Sequence, residues 1–183
     1  MKLKFSHIQY IADKIARDLG NAGFIEILTN RGDIIKVASK YLEENIKQEL
    51  ALQEKAQTFF DQNVSEFERE NIDERQVVRM LKKRFADENN FILAWEERYN
   101  VLSHKIMDEL IDTSIINFKV SEMMVKNTIF KSINDYARGY KNIENAVESR
   151  IKNYKKKLQA GTEEYDLVFS KMFEDELRKQ GFI

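Results

Sequence analysis

Residues 75–93 read Arg-Gln-Val-Val-Arg-Met-Leu-Lys-Lys-Arg-Phe-Ala-Asp-Glu-Asn-Asn-Phe-Ile-Leu. Their apolar members recur at helical spacing between basic residues, which predicts an amphipathic helix. The helix is expected to end at Asn89-Asn90, because asparagine tolerates the left-handed backbone conformation that closes a helix. The apolar pair Phe91-Ile92 follows this break directly.

The last part of the chain has the same design. A helical pattern that begins near Tyr165 ends at Gln180-Gly181, and Phe182-Ile183 follows. The two Phe-Ile pairs lie 91 residues apart, and the 183-residue chain is one residue longer than twice that distance. We therefore predict an internal duplication, with a first helical repeat at residues 1–91 and a second at residues 92–183, packed together.

The first predicted helix supports the same offset. Its apolar stripe stays apolar at every position when it is moved along the chain by 91 residues. The stripe Ile8, Ile11, Ile15 and Leu19 becomes Tyr99, Leu102, Ile106 and Leu110. Each repeat is expected to contain three helices, one of which is far longer than the others.

The long helix of the first repeat has no breaker before about Asn63. Its expected apolar residues are Ile34, Ala38, Leu42, Ile46, Leu50, Ala56, Phe59 and Phe60. About 30 residues give a helix of roughly 45 Å, which is longer than a small domain, so we expect it to pack against a matching long partner. The predicted fold class is all-α: an internally duplicated three-helix unit whose long central helices lie antiparallel in an elongated helical bundle.

Two short segments interrupt the helices near residues 24–28 and 115–120. The first, Phe-Ile-Glu-Ile-Leu, suits either a brief strand or an extended packed segment. Its length is too small for periodicity to decide between the two.

Composition limits the function classes. The chain has no proline, which suits long uninterrupted helices, and no cysteine, which excludes disulfides and thiolate chemistry. The chain has 30 basic and 31 acidic residues, so its net charge does not favour a nucleic-acid partner. A charged start and the lack of any run near the ~20 apolar residues of a membrane span predict a cytoplasmic protein without a membrane partner.

The sequence contains few residues that suggest a catalytic or metal site. Its two histidines, His7 and His104, are not preceded by glutamate three positions earlier, so the motif of a di-metal helical bundle is absent. Acidic residues such as Glu96, Glu97 and Asp108 are the only candidates for catalytic groups, and nothing in the sequence singles out one of them. We expect no catalytic, cofactor or metal site.

One segment departs from the even charge pattern. Five positive charges and no acid lie within eight residues, whereas the matching stretch 59–66 has two acids and no base. The residues that can contact nucleic acid there are Arg150, Lys152, Tyr154, Lys155, Lys156 and Lys157. Such a cluster can bind a phosphate backbone without reading sequence, or it can be a solvated helix end whose cations offset the helix dipole.

The opening Ser6-His7-Ile8-Gln-Tyr-Ile11-Ala12-Asp13-Lys14-Ile15, the acidic-apolar segment after the first helix and the basic helix before Phe91-Ile92 resemble a bacterial family. That family is called domain of unknown function 507. Members of about 90 residues correspond to one repeat here, so the chain resembles a tandem version. The second half has Glu97-Arg98-Tyr99 in place of the Ser-His-Ile opening. The resemblance implies a helical fold and no activity.

The leading hypothesis is a non-enzymatic cytoplasmic helical interaction or scaffold protein with a protein partner. The alternative is non-specific nucleic-acid binding through the segment Arg150 to Lys157. Because the halves are expected to pair with each other as a pseudo-dimer, we expect the chain to be a monomer.

Overall fold

The computed structural model describes residues 2–69, 73–154 and 158–182 and is mostly helical, at 77%. Seven α-helices lie in these described ranges, together with a two-stranded sheet and a short 3₁₀ helix at Phe5–His7. The elements are α1 (Ile8–Gly20), β1 (Ile25–Ile27), α2 (Arg31–Gln62), α3 (Val64–Arg69), α4 (Glu74–Glu88), α5 (Trp95–Asp112), β2 (Ile116–Phe118), α6 (Glu122–Lys152) and α7 (Glu163–Lys179).

The two extended segments form one antiparallel sheet. Ile25 pairs with Phe118 and Ile27 pairs with Ile116, so β1 and β2 are neighbours although about 90 residues separate them in the chain. The Leu28 N–H donates to the Ile115 carbonyl at 2.9 Å and extends the ladder by one bond. Of the two interpretations left open for residues 24–28, the brief strand is confirmed.

The central core is shared by residues from both parts of the chain. It joins α1 and α5 to the first halves of the long helices α2 and α6. Its fully buried members include Ile11, Ile15, Ile34, Leu42, Ile106, Leu110, Ile129 and Ile133. Since these side chains leave water only when all four helices are together, the core ties residues 1–91 to residues 92–183.

Beyond the central core the long helices continue into two arms. The first arm is the second half of α2 with α4, and its buried residues include Leu52, Ala56, Val77, Leu81 and Phe85. The second arm is the second half of α6 with α7, and its buried residues are Ile143, Val147, Ile151 and Leu177. Each arm therefore has a small apolar core of its own.

The long helices have the expected length, with 32 residues in α2 and 31 in α6. The prediction that they pack against each other was wrong within the described part of the chain. The main neighbours of α2 are α1, α4 and α5, whereas those of α6 are α1, α5 and α7. The reason lies in α1, which buries Ala12 and Ala16 beside its isoleucine stripe and so has an apolar face wide enough for both long helices.

The buried face of α2 also differs from the prediction. Leu50 and Phe59 are exposed, and the buried stripe passes through Glu49 and Leu52 instead. In a helix of 3.6 residues per turn, a stripe that passes through Ile46 can continue three residues later at Glu49 or four residues later at Leu50. The sequence favoured Leu50 because it is apolar and Glu49 is charged.

The predicted helix ends are confirmed. Asn90 and Gly181 both have positive φ, 51° and 70°, and each is the second residue after the end of its helix, α4 or α7. The Phe91 N–H then donates to the Ala86 carbonyl at 2.8 Å, and the Phe182 N–H donates to the Leu177 carbonyl at 2.9 Å. These bonds close the two helices with the same left-handed motif.

Candidate functional site

The basic segment begins on the last turn of α6. Arg150 Nη1 donates to Glu176 Oε2 at 2.8 Å, and Gln180 Nε2 donates to Glu176 Oε1 at 2.8 Å. The hydrogen bond from Gln180, followed by the one from Arg150, lowers the pKa of Glu176. Arg150 therefore has a structural role, because it links α6 to α7.

The rest of the segment is only partly described. Lys152 and Tyr154 are exposed at the end of α6, whereas Lys155, Lys156 and Lys157 lie outside the described residues. Elsewhere, the ammonium group of Lys82 on α4 donates to Glu49 of α2 at 3.1 Å.

The helices α4 and α7 occupy corresponding places in the two arms but differ in how well they are covered. On α4 the apolar residues Val77, Val78, Leu81, Phe85 and Ala86 are buried. On α7 only Leu177 is a buried apolar residue, and a row of others remains half-buried: Tyr165, Val168, Phe169, Met172 and Phe173. These five residues pack against the buried residues of the second arm, and we call them the α7 face. Leu167 is 68% exposed on the same helix but lies about 200° around it from Tyr165, on the side away from the α7 face.

Aromatic rings lead from the α7 face into the molecule. Tyr165, Phe169 and Phe173 follow one another at four-residue spacing, with ring centroids 6.2 Å and 5.5 Å apart. Phe173 meets Tyr140 of α6 edge-on at 5.0 Å, and Tyr140 contacts the His7 ring at 4.4 Å. These spacings suit stacked and edge-to-face aromatic pairs.

His7 fixes the N-terminal 3₁₀ helix against α6. The ring is 2% exposed, and its Nδ1 accepts the Lys4 backbone N–H at 3.2 Å. Because Nδ1 is an acceptor, the neutral ring has its proton on Nε2. Burial, with a smaller contribution from the positive charge of Lys4, lowers the pKa of His7 to about 4.

A buried carboxylate joins the first arm to the central core. Glu49 of α2 accepts hydrogen bonds from Arg98 Nη1 at 2.9 Å and from Lys82 Nζ at 3.1 Å, and Lys2 Nζ lies at 3.8 Å. Burial acts to raise the pKa of Glu49, but the three cations outweigh it and the pKa is lowered. Glu49 is therefore ionised and shared by three elements of the fold.

The described ranges contain no group of three or more histidine, aspartate and glutamate side chains that could hold a metal ion. None of the described helices combines the length and the apolar character needed to cross a bilayer.

One family model, described as a protein of unknown function (DUF507), matches residues 1–182. The chain belongs to the DUF507 family. The family resemblance inferred from the opening residues and the helix before Phe91 is thereby confirmed. The match is a single span over both halves and does not show a tandem of two members. A search of curated proteins found none that matches this DUF507 chain.

Sequence reasoning missed the polar residues that organise this DUF507 protein, namely Glu49, Arg98 and His7. A usable signal existed for Glu49, which lies three residues after Ile46 and three before Leu52 on the buried stripe of α2. A charge on such a stripe needs a charged partner. His7 had no comparable signal, because its partners lie on α6, more than 120 residues away in the chain.

Proposed function

We propose that the protein is a non-enzymatic helical interaction or scaffold protein of the cytoplasm, and that it binds a protein partner on the α7 face. The observation that carries this proposal is the unequal cover of the two arms. The apolar residues of α4 are buried by α2, whereas the five residues of the α7 face pack against the second arm and are still only half-buried.

A partner helix is the occupant that suits this surface. Tyr165, Phe169 and Phe173 form a ridge at four-residue spacing, which is the pattern by which amphipathic helices dock. Covering the exposed part of these rings removes apolar area from water, and aromatic residues are frequent among the side chains that contribute most to binding.

Site-specific photo-crosslinking in cells tests this proposal. A photoreactive phenylalanine analogue in place of Phe169, in the middle of the ridge, should give a discrete crosslinked band that contains one partner protein. The matched control places the analogue at Leu167, which is exposed on the opposite side of the same helix. Equal crosslinking at the two positions, or no band at position 169, would contradict a docking site on the α7 face.

The second candidate function is non-specific nucleic-acid binding through Arg150, Lys152, Tyr154 and the three lysines that follow. The exposure of Lys152 and Tyr154 at one helix end favours it, since a cation beside an aromatic ring suits a phosphate and its base. The structural use of Arg150 in its pair with Glu176 weakens it.

Fluorescence anisotropy with labelled single-stranded RNA and duplex DNA tests this candidate at low and physiological salt. Binding should weaken steeply with salt and vanish when Lys155, Lys156 and Lys157 are replaced by glutamate. The control reverses three exposed cations elsewhere, Arg75, Arg79 and Lys131, which removes the same charge. A lack of binding at low salt would exclude this function.

We also infer that the chain arose by internal duplication of a unit of about 91 residues, with repeats at 1–91 and 92–183, and that it is a monomer. Both halves contain a helix, a strand, a long helix and a final helix in the same order, although the first half has the additional short helix α3. This order, the closing motifs at Phe91 and Phe182 and the pairing of β1 with β2 support the duplication. An experimental structure should superpose the two halves at this offset, and another offset would contradict it. Sedimentation equilibrium checks the oligomeric state.

A further inference from the structure

The outer side of α4 carries a concentration of positive charge. Residues 75–84 contain five cations and no acid. Two of the five have carboxylate partners, because Lys82 binds Glu49 at 3.1 Å and Arg84 binds Glu88 at 2.8 Å. The other three are exposed and have no carboxylate partner among the described residues: Arg75, Arg79 and Lys83.

These three residues form a row along the helix, which we call the basic row. They follow one another at four-residue spacing, so their positions are about 6 Å apart along the helix axis. The row lies on the opposite side of α4 from Leu81, which is buried in the first arm. Like charges at four-residue spacing on a helix repel one another, so negative charge placed along the row would stabilise it.

The fold of an arm does not require this row. The positions 91 residues later, on α7, are occupied by Asp166, Ser170 and Glu174, which carry two negative charges and no positive one. The second arm forms its apolar core with these residues in place of cations. Packing of the arm therefore does not explain the basic row.

Apolar surface adjoins the row at its C-terminal end. Lys83, the last member of the row, also lines a shallow cleft. Asp87 and Glu97 lie at this cleft too, so an apolar side chain suits it better than a carboxylate. The apolar residues that line the cleft are Ala86, Phe91, Ile92, Leu93 and Ala94.

The residues beside the row favour a protein as the occupant. Met80 is 61% exposed and lies three residues before Lys83, so the two side chains are neighbours on the helix surface. Methionine and arginine are both enriched at protein–protein interfaces. Bases of single-stranded nucleic acid stack on aromatic rings, and α4 exposes none, because its single aromatic residue, Phe85, is buried.

We propose that the basic row and the adjoining cleft are a docking site for an acidic amphipathic helix of a protein partner. Carboxylates at four-residue spacing on a helix repeat at the same distance of about 6 Å as the row. One such carboxylate pairs with each cation of the row, and an apolar side chain further along the partner helix enters the cleft. The site is independent of the α7 face, because the two lie on different arms.

Fluorescence anisotropy with two synthetic peptides tests the proposal on the full chain. The first is a labelled alanine-based helix with three glutamates at four-residue spacing and a leucine four residues beyond the last of them. The second has the same composition, with these four residues distributed around the helix. The first peptide should bind at least fivefold more tightly than the second at low salt, and salt should weaken it because exposed ion pairs are screened.

A matched pair of triple variants locates the site. Replacement of Arg75, Arg79 and Lys83 by glutamine should weaken the first peptide about tenfold, since each exposed ion pair changes an affinity by roughly two- to threefold. Glutamine has a helix propensity close to that of arginine and lysine, so α4 is retained. The control replaces three other exposed cations by glutamine and should leave the affinity unchanged: Arg17, Lys131 and Arg138. Equal effects of the two triple variants, or equal binding of the two peptides, would overturn the proposal.

Two other occupants are distinguished by further measurements. Neutralisation of the basic row should not change the binding of a labelled single-stranded DNA, and a loss of DNA binding would assign nucleic acid to the row instead. A photoreactive phenylalanine analogue at Gln76, which is exposed between Arg79 and Met80 on the helix surface, should crosslink in cells to a segment with acids at four-residue spacing. A crosslink to a second copy of this chain, or no crosslink, would overturn the proposal. The crosslink from position 169 should be unchanged by the row variant, which separates this test from that of the α7 face.

Discussion

Mild acid should destabilise the protein through His7. Its ring is 2% exposed and packs against Tyr140 at 4.4 Å and Tyr136 at 5.8 Å. Its Nδ1 accepts the Lys4 N–H, so a second proton would have to replace this hydrogen bond. Burial and the neighbouring charge of Lys4 lower the pKa from 6.5 to about 4 in the folded state.

The direction in which the free energy of unfolding changes with pH follows from which state, folded or unfolded, binds the proton. Between pH 6.5 and pH 4 the unfolded chain is protonated at this residue and the folded chain is not, so the free energy of unfolding falls as the pH falls. Above pH 6.5 both states are neutral at this residue and it has no effect. With these two pKa values, lowering the pH from 7 to 5 reduces the free energy of unfolding by about 2 kcal/mol.

Urea unfolding at pH 7, 6 and 5 measures this change. His7→Gln removes the titrating group while it retains a side-chain acceptor for the Lys4 N–H. The variant should lose about 2 kcal/mol of the pH dependence, whatever its own stability at pH 7. The only other histidine in the sequence, His104, provides the matched variant His104→Gln, which should keep the wild-type dependence.

Two results would refute the reasoning. If His7→Gln shows the same loss of stability between pH 7 and pH 5 as the wild type, the ring is not protected from protonation by burial. If His104→Gln removes the dependence instead, the pH response belongs to the other histidine.

Three further predictions concern the core. Glu49→Gln should lower the free energy of unfolding by about 3–5 kcal/mol in urea, because it breaks a buried ion pair from one side only. Ile15→Ala should cost about 2–5 kcal/mol in the same assay, whereas Leu167→Ala should stay within about 0.5 kcal/mol because its side chain is mostly in water. Residues 1–91 and 92–183 expressed separately should lack a cooperative thermal transition by circular dichroism, since the central core needs both, and mixing them should restore it. A cooperative transition in either half alone would contradict the shared core.

Local signals in the sequence were sufficient to predict where α4 and α7 end. Asparagine or glycine next to a Phe-Ile pair marks a left-handed closing residue, and the structure places positive φ at Asn90 and Gly181. The length of α2 was also predictable from local sequence, because no helix-breaking residue lies within it. These features depend on a few neighbouring residues, which periodicity and capping rules describe well.

Features that depend on distant residues were not predictable in the same way. Leu50 seemed as suitable for the buried face as Leu52, and only the position of α4 decides that Leu52 is covered. The wide face of α1 was missed because Ala12 and Ala16 are small and contribute little to an apolar stripe, although their size lets two long helices approach.

The junctions between the central core and the two arms are built from different chemistry at matching positions. At the first junction Glu49 binds Arg98 and Lys82. At the second junction Tyr140 and Phe173 occupy the positions 91 residues after Glu49 and Lys82, and their rings are in contact. His7, which also contacts Tyr140, occupies the position 91 residues before Arg98.

An ionised carboxylate shared by charged donors fixes distance and direction, because buried charges are stable only in good hydrogen-bond geometry. Aromatic rings accept a range of offset and edge-on arrangements with little difference in energy. We therefore expect the first arm, in which α4 is closely covered by α2, to be held more rigidly on the core than the second arm. Aromatic contacts that tolerate small displacements would let the half-buried α7 face adjust to the partner that we propose for it.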